Sequence, residues 1–172
     1  MPEITDQTSA NQTNTIINQA LHHQLRVRVC GICVQQNTLL LVRHRGIVPG
    51  KDFWAPPGGG LIFGETILGC LKREFTEETG LQIDPGRFLF LNEFLRPPLH
   101  ALELFFETRI TSGSLKQGSD PEFPSNAQLI QEVAFKTLSE INAIPYQEKH
   151  QILYELVNLD DLFIPENRFV KK

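Results

Sequence analysis

Apolar positions along this chain fall into two periodicities, and the switch between them outlines the elements. Leu25–Val34 and Thr38–Val42 are short apolar, β-branched runs separated by the polar Gln35-Gln36-Asn37. That pattern predicts a hairpin. Arg87–Leu95 and Ala101–Ile110 read as two further strands joined through Arg96-Pro97-Pro98, and Leu129–Phe135 as another. The spacing turns helical from near Gly64–Thr66 up to Gly80, and again over Tyr146–Leu159, where Ile152, Leu153, Leu156 and Val157 predict a second amphipathic helix. Leu138–Ile144 suits a short helical turn. Thr111–Asn126 is polar and rich in turn residues, which predicts a long loop. Strands interspersed with helices predict an α+β or α/β sandwich. The polar residues 1–14 offer little to bury and read as a disordered lead-in, and Thr15–His23 as a short helix. The expected organisation is a lead-in over 1–22 followed by one domain over 23–172.

Composition narrows the function classes. With 172 residues and 41% hydrophobic content the chain suits one domain with a real core. A net charge of −4 gives no general electrostatic case for nucleic acid, so none is expected as a partner. The longest apolar runs fall short of a membrane span, and the N-terminus lacks the pattern of a signal peptide. With three cysteines, this points to a reducing, cytoplasmic setting. Cys30 and Cys33 form a lone C-x-x-C within a predicted strand. Residues i and i+3 of a strand point to opposite faces, so a shared zinc is disfavoured and two small buried side chains are expected.

The chemistry concentrates in the first predicted helix, within Gly59–Leu81, GGLIFGETILGCLKREFTEETGL. At about 100° per residue, Glu74, Glu77 and Glu78 share one sector of roughly 100°. Leu68, Leu71 and Phe75 form the stripe beside it. Gly80 suits a left-handed helix stop, which would let Leu81 pack back on Phe75. Carboxylates near a helix C-terminus oppose its dipole, and Glu74 and Glu78 repel at i,i+4, each effect costing a few tenths of a kcal/mol. A divalent cation would turn those costs into binding. An acidic run of this kind more often simply faces water, so its surroundings decide.

Those surroundings are Gly59, five residues, Glu65, seven residues, then Arg73-Glu74-Phe75-x-Glu77-Glu78-x-Gly80-Leu81. The pattern resembles the Nudix box of the Nudix hydrolase (MutT-like) superfamily. Phe75 stands where that family more often has an aliphatic residue. The resemblance implies a mixed β-sheet between helices with the box as loop–helix–loop. It also implies a Mg²⁺- or Mn²⁺-dependent hydrolase that cleaves the diphosphate linkage of a nucleoside diphosphate joined to another group. Carried over residue by residue, it makes Glu74 and Glu78 the core metal ligands, with Glu77 ligating or positioning water. The backbone carbonyl of Gly58 or Gly59 completes the set. Either Glu74 or a glutamate outside the box is the base, and Arg73 and Glu65 form an orienting pair. A homodimer is common among relatives. A non-catalytic nucleotide-binding or sensor module on the same fold is the alternative, but such modules commonly degrade the box and add a second domain.

Outside the box the candidates are weaker. Arg43, His44 and Arg45 are candidates to contact substrate phosphates, the arginines through their fork geometry, with a solvated strand end as the alternative. Trp54, Phe53 or Phe94 can stack on a base, with a place in the core as the alternative. Glu103, in HALELFF, is costly to bury in a core and is a candidate for the site, as extra metal ligand, base or substrate contact. Glu122 and Glu132 are lesser alternatives. Pro97, sixteen residues past Leu81, is similar in placing to a proline of the ADP-ribose pyrophosphatase subgroup. Nucleotide sugars and (d)NTPs are the other substrate classes left open.

Overall fold

The computed structural model describes residues 24–164, except 49, 98 and 120–127. The chain order is β1 (Leu25–Ile32), β2 (Val34–Gln35), β3 (Thr38–Val48), β4 (Lys51–Ala55), β5 (Gly58–Gly60), α1 (Ile67–Thr79), β6 (Leu81–Arg96), β7 (Leu99–Gly113), β8 (Ile130–Thr137) and α2 (Leu138–Ala143), with 3₁₀ turns at Tyr146–Glu148, Gln151–Leu153 and Leu159–Phe163. They form two four-stranded sheets. One runs β5-β1-β7-β6; in the other β3 is flanked by β4 and β8, with β2 pairing at its start. The first sheet is mixed, because β1 pairs β7 in parallel and every other pairing in it is antiparallel. The α+β reading holds, with the mixed sheet that the resemblance implied.

Several boundaries differ from the sequence expectation. The expected hairpin of Leu25–Val34 with Thr38–Val42 is confined to Val34–Gln35 against Thr38–Leu39. Gln36 and Asn37 both take positive φ, which is the two-residue turn that matches strand twist. The preceding Leu25–Ile32 belongs to the other sheet, so the chain crosses between sheets at Cys33. Cys30 and Cys33 fall in different core clusters, as strand alternation requires. The next two strands are longer than their apolar runs. β6 starts immediately after the helix, and β7 continues through Gly113 into what read as loop.

The expected helix over Tyr146–Leu159 is absent. Its apolar residues Ile152, Leu153 and Leu156 are buried, but from 3₁₀ turns and turns. Tertiary bonds override the local propensity: His150 N–H donates to the Trp54 carbonyl at 2.8 Å, and Glu155 sits at φ 53°, outside helical space. The reading of Thr15–His23 as helix lies outside the described residues.

α1 is built as its sequence suggests at both ends. Thr66 caps it, accepting from the Gly69 N–H at 3.1 Å, and Gly80 ends it at φ 71°. Its buried face differs by one position from the expected stripe. Leu68 is exposed, while Cys70 joins Leu71 and Phe75 against Val29, Leu81 and Ile83. A strap over Ser114–Ser119 meets the helix end. The Lys116, Gly118 and Ser119 N–H groups donate to the carbonyls of Thr79, Glu78 and Glu77 at 3.0, 2.9 and 3.2 Å. These bonds satisfy the carbonyls that a helix C-terminus leaves open. A Cβ at Gly118 would overlap the Glu77 carbonyl. Gly118→Ala is therefore expected to break this cap and lower stability by about 1–3 kcal/mol, measured by urea unfolding. An unchanged midpoint would mean that the strap carries no load.

Candidate active site

A cavity of about 290 Å³ opens between the two sheets beside the helix. α1 contributes Arg73, Glu74, Glu77 and Glu78, and β5 contributes Gly58, Gly59 and Gly60. β1 sends in Arg26 and Arg28, two residues apart and so on one face. The remaining wall includes His44, Phe53, Phe94, Glu103 and His150.

The acidic helix face is tied down by its own arginine. Arg73 grips Glu65 with two bonds, Nε to Oε1 at 2.8 Å and Nη2 to Oε2 at 3.0 Å. Its Nη1 donates to Glu74 at 2.7 Å and to Glu77 at 2.9 Å, and its Nη2 to the Gly60 carbonyl at 3.1 Å. The planar fork supplies donors in fixed directions, which is what three carboxylates and a carbonyl around one side chain require. The hydrogen bonds from Arg73 hold the Glu65 carboxyl below its ordinary range.

Glu74 and Glu78 are 8% and 5% exposed. Burial, then the neighbouring Glu78 charge, push the Glu74 carboxyl up to about 7, against the pull of Arg73 and Arg28. The Glu74 carboxylate lies against Gly59 so closely that a Cβ there would overlap it. Glu78 accepts from the Gly58 N–H at 2.9 Å and sits 3.3 Å from His44 Nε2. Arg28 Nη2 donates to the Gly58 carbonyl at 2.6 Å, and its Nε lies 3.5 Å from Glu103.

A buried carboxylate pair, in which burial and the Glu78 charge oppose ionisation of Glu74, is a donor set that a hard cation would relieve. Among the described residues no three Asp, Glu, His or Cys side chains converge closely enough to hold a cation as they stand. Mg²⁺ does not need three. It binds through one or two carboxylates and fills the rest of its shell with water and substrate phosphate oxygens. Glu74, Glu78 and the adjacent Gly59 backbone fit that requirement.

The residues expected from sequence separate into two groups. Glu65, Arg73, Glu74, Glu77, Glu78 and Gly59 come together, and Glu103 lies on the wall of the same cavity. Arg43, Arg45 and Trp54 do not join them. On β3 and β4 the residues lining the cavity are His44, Ile47, Phe53 and Ala55, and Arg43, Arg45 and Trp54 are not among them. Arg43 pairs with Asp52 at 2.8 Å and Glu132 at 3.0 Å, and Trp54 is buried beneath Lys136, whose Nζ lies 4.2 Å from the ring centroid. Glu122 lies outside the described residues. Sequence reasoning missed Arg26, Arg28 and His150. The two arginines carry a signal, since R-V-R-V alternation places both on one strand face. His150 has none, because its segment's spacing predicts a helix, whereas the chain docks it between 3₁₀ turns.

The family model described as "NUDIX domain" matches residues 22–157. The chain belongs to the NUDIX domain family. An ADP-ribose pyrophosphatase of Methanocaldococcus jannaschii is 32% identical over 96 residues, which cover 55% of this chain and 56% of that protein. The match thus spans about half the length of that curated relative. Among solved structures, a NUDIX hydrolase from Nitrosomonas europaea superposes with a TM-score of 0.58 at 23% identity, covering 70% of this chain and 77% of the other. The MutT protein from Methanosarcina mazei Go1 gives 0.58 at 18% identity, covering 81% and 90%. At these identities the structural likeness is one of fold. In this NUDIX domain the helix that carries the box is α1, and the glycines before it form β5. Among the described residues no helix is long and apolar enough to cross a membrane.

Proposed function

We propose that this NUDIX domain is a Mg²⁺- or Mn²⁺-dependent hydrolase of the diphosphate linkage in a nucleoside diphosphate joined to another group. The observation that carries this reading is the buried pair Glu74 and Glu78, set against Gly58 and Gly59 on a cavity wall that also holds Arg26 and Arg28. Glu74 and Glu78, with the Gly59 carbonyl, would hold the cation, and Glu77 would ligate it or position water. A bound cation would neutralise charge on the phosphoryl oxygens and make water a better nucleophile.

The rest of the work falls to side chains already in place. Arg73 fixes the rotamers of Glu74 and Glu77 while Glu65 fixes Arg73, so the carboxylates are oriented before substrate arrives. The Gly58 N–H and His44 hold Glu78. The base that takes a proton from water is Glu74 or a glutamate outside the box; with no cation bound, burial and Glu78 push the Glu74 carboxyl up to about 7. Arg26 and Arg28 supply positive charge for a diphosphate on the same wall.

ADP-ribose, the substrate named for the archaeal relative, is the first compound to test, followed by nucleotide sugars and (d)NTPs. Release of nucleoside monophosphate is expected from at least one of them with Mg²⁺ or Mn²⁺, and its loss with EDTA. No metal-dependent turnover of any compound would leave a binding module on the NUDIX fold as the better reading.

A further inference from the structure

Glu103 is 4% exposed and lies on the cavity wall, across Arg28 from Gly58. Its two oxygens are treated differently. Oε2 accepts two short bonds, from Asn92 Nδ2 at 2.8 Å and from His150 Nε2 at 2.8 Å. Both donors are themselves oriented. Gln151 donates to Asn92 Oδ1 at 3.0 Å, which turns the amide nitrogen to Glu103. The Ile152 N–H donates to His150 Nδ1 at 3.3 Å, which leaves the His150 proton on Nε2. Oε1, by contrast, meets Arg28 Nε at 3.5 Å, beyond the usual hydrogen-bond length.

Phe53, Phe94 and His150 line the same cavity as Glu103. Phe94 stacks on His150, with centroids 5.2 Å apart and planes at 18°, and Phe53 meets Phe94 edge-on at 6.0 Å. Ala101 and Leu99 extend this apolar wall. A fixed, charged acceptor beside flat apolar surface suits a ring that carries hydrogen-bond donors. It disfavours a phosphate, which would bring like charge against Glu103.

We propose that Glu103 Oε1 accepts a hydrogen bond from a hydroxyl or N–H donor on a neutral ring of the bound nucleotide, which seats that ring against Phe53 and Phe94. This rests on the same cavity being the nucleotide site, but it concerns binding and not hydrolysis. The donor has two sources, an N–H of the base or a hydroxyl of a sugar.

Calorimetric titration of the full chain with the four 5′-nucleoside monophosphates and with ribose 5-phosphate, in Mg²⁺, separates them. At least one probe is expected to bind, and Glu103→Gln to weaken it by about tenfold or more, the loss typical of a hydrogen bond to a charged group. Loss confined to the nucleotides assigns a base donor, and loss shared with ribose 5-phosphate a sugar donor. Glu103 also bolts the His150 segment to the sheet, so a purely structural role would lower the melting temperature without sorting ligands by their donors. Should the variant not fold, the unmodified chain is titrated with 2′,3′-dideoxy nucleotides and with purine nucleotides lacking an exocyclic amine. The idea is overturned if no probe binds, if Glu103→Gln leaves every dissociation constant unchanged, or if removing donors from the ligand has no effect. Binding that depends on Glu103 without any turnover sinks the hydrolase reading alone; turnover indifferent to Glu103 sinks this one alone.

Discussion

Glu74→Gln is expected to make the metal-free chain harder to unfold at pH 8 while removing metal-dependent turnover. The Glu74 carboxyl lies at about 7 in the folded chain against an ordinary 4.5. Between those values the folded chain holds a proton that the unfolded chain has released, so stability falls as pH rises. Ionising Glu74 therefore costs about 3 kcal/mol by pH 8 in the absence of a cation, and nothing near pH 4. A neutral glutamine escapes that cost. Urea unfolding in EDTA is expected to show the variant ahead by about 1–3 kcal/mol at pH 8, with the gap closing by pH 4.5. Adding Mg²⁺ should stabilise the unmodified chain and not the variant. Turnover should fall by about 100-fold, the upper end of the losses seen when groups supporting a metal site are changed. Equal stability of the two chains across this pH range would remove the strained carboxylate pair from the account.

Arg73→Ala carries the second large effect, with the opposite sign on stability. It deletes the fork that holds Glu65, Glu74, Glu77 and the Gly60 carbonyl. Three carboxylates would then lose the counter-charge they share, with Arg28 still pulling on Glu74. Removing one partner of a buried ion pair costs about 3–5 kcal/mol, and because Arg73 is 26% exposed solvent screening brings the expectation to roughly 2–4. In a chain of this size that is a fall in melting temperature of roughly 5–15 °C. Arg73→Lys should recover little of it, since an ammonium cannot form the two-bond grip on Glu65. Coupling in the double variant with Glu65→Ala would show that the two act as one unit. Melting of Arg73→Ala within a degree or two of the unmodified chain would show that the carboxylates need no such hub.

The same arginine explains where the sequence reading was incomplete. Three glutamates near a helix end looked unstable without a cation. Part of the positive charge is local, from Arg73, and so was written in the box itself. Part comes from Arg28 on β1, and the helix carbonyls are met by the strap at Lys116, Gly118 and Ser119. These neighbours are far along the chain, and no window of the sequence places them together. Arg43, Arg45 and Trp54 show the same limit on strands. Alternation predicts that Arg43 and Arg45 share a face, but which face looks into the cavity depends on pairing with β4 and β8.

By itself the sequence determined the helix with its Gly80 stop and a start near Gly64–Thr66, the common face of Glu74, Glu77 and Glu78, the family, and most strand positions. These rest on periods of two and 3.6 residues and on backbone preferences that act within a few residues. Only the tertiary structure decided that Leu25–Ile32 leaves its hairpin partner for the other sheet, and that 146–159 forgoes a helix to dock His150 against Trp54 and Glu103. It also decided that Arg26, Arg28 and Glu103 share a cavity with the box. Those outcomes depend on burial and on hydrogen bonds between distant segments, whose energies exceed the local propensities they override.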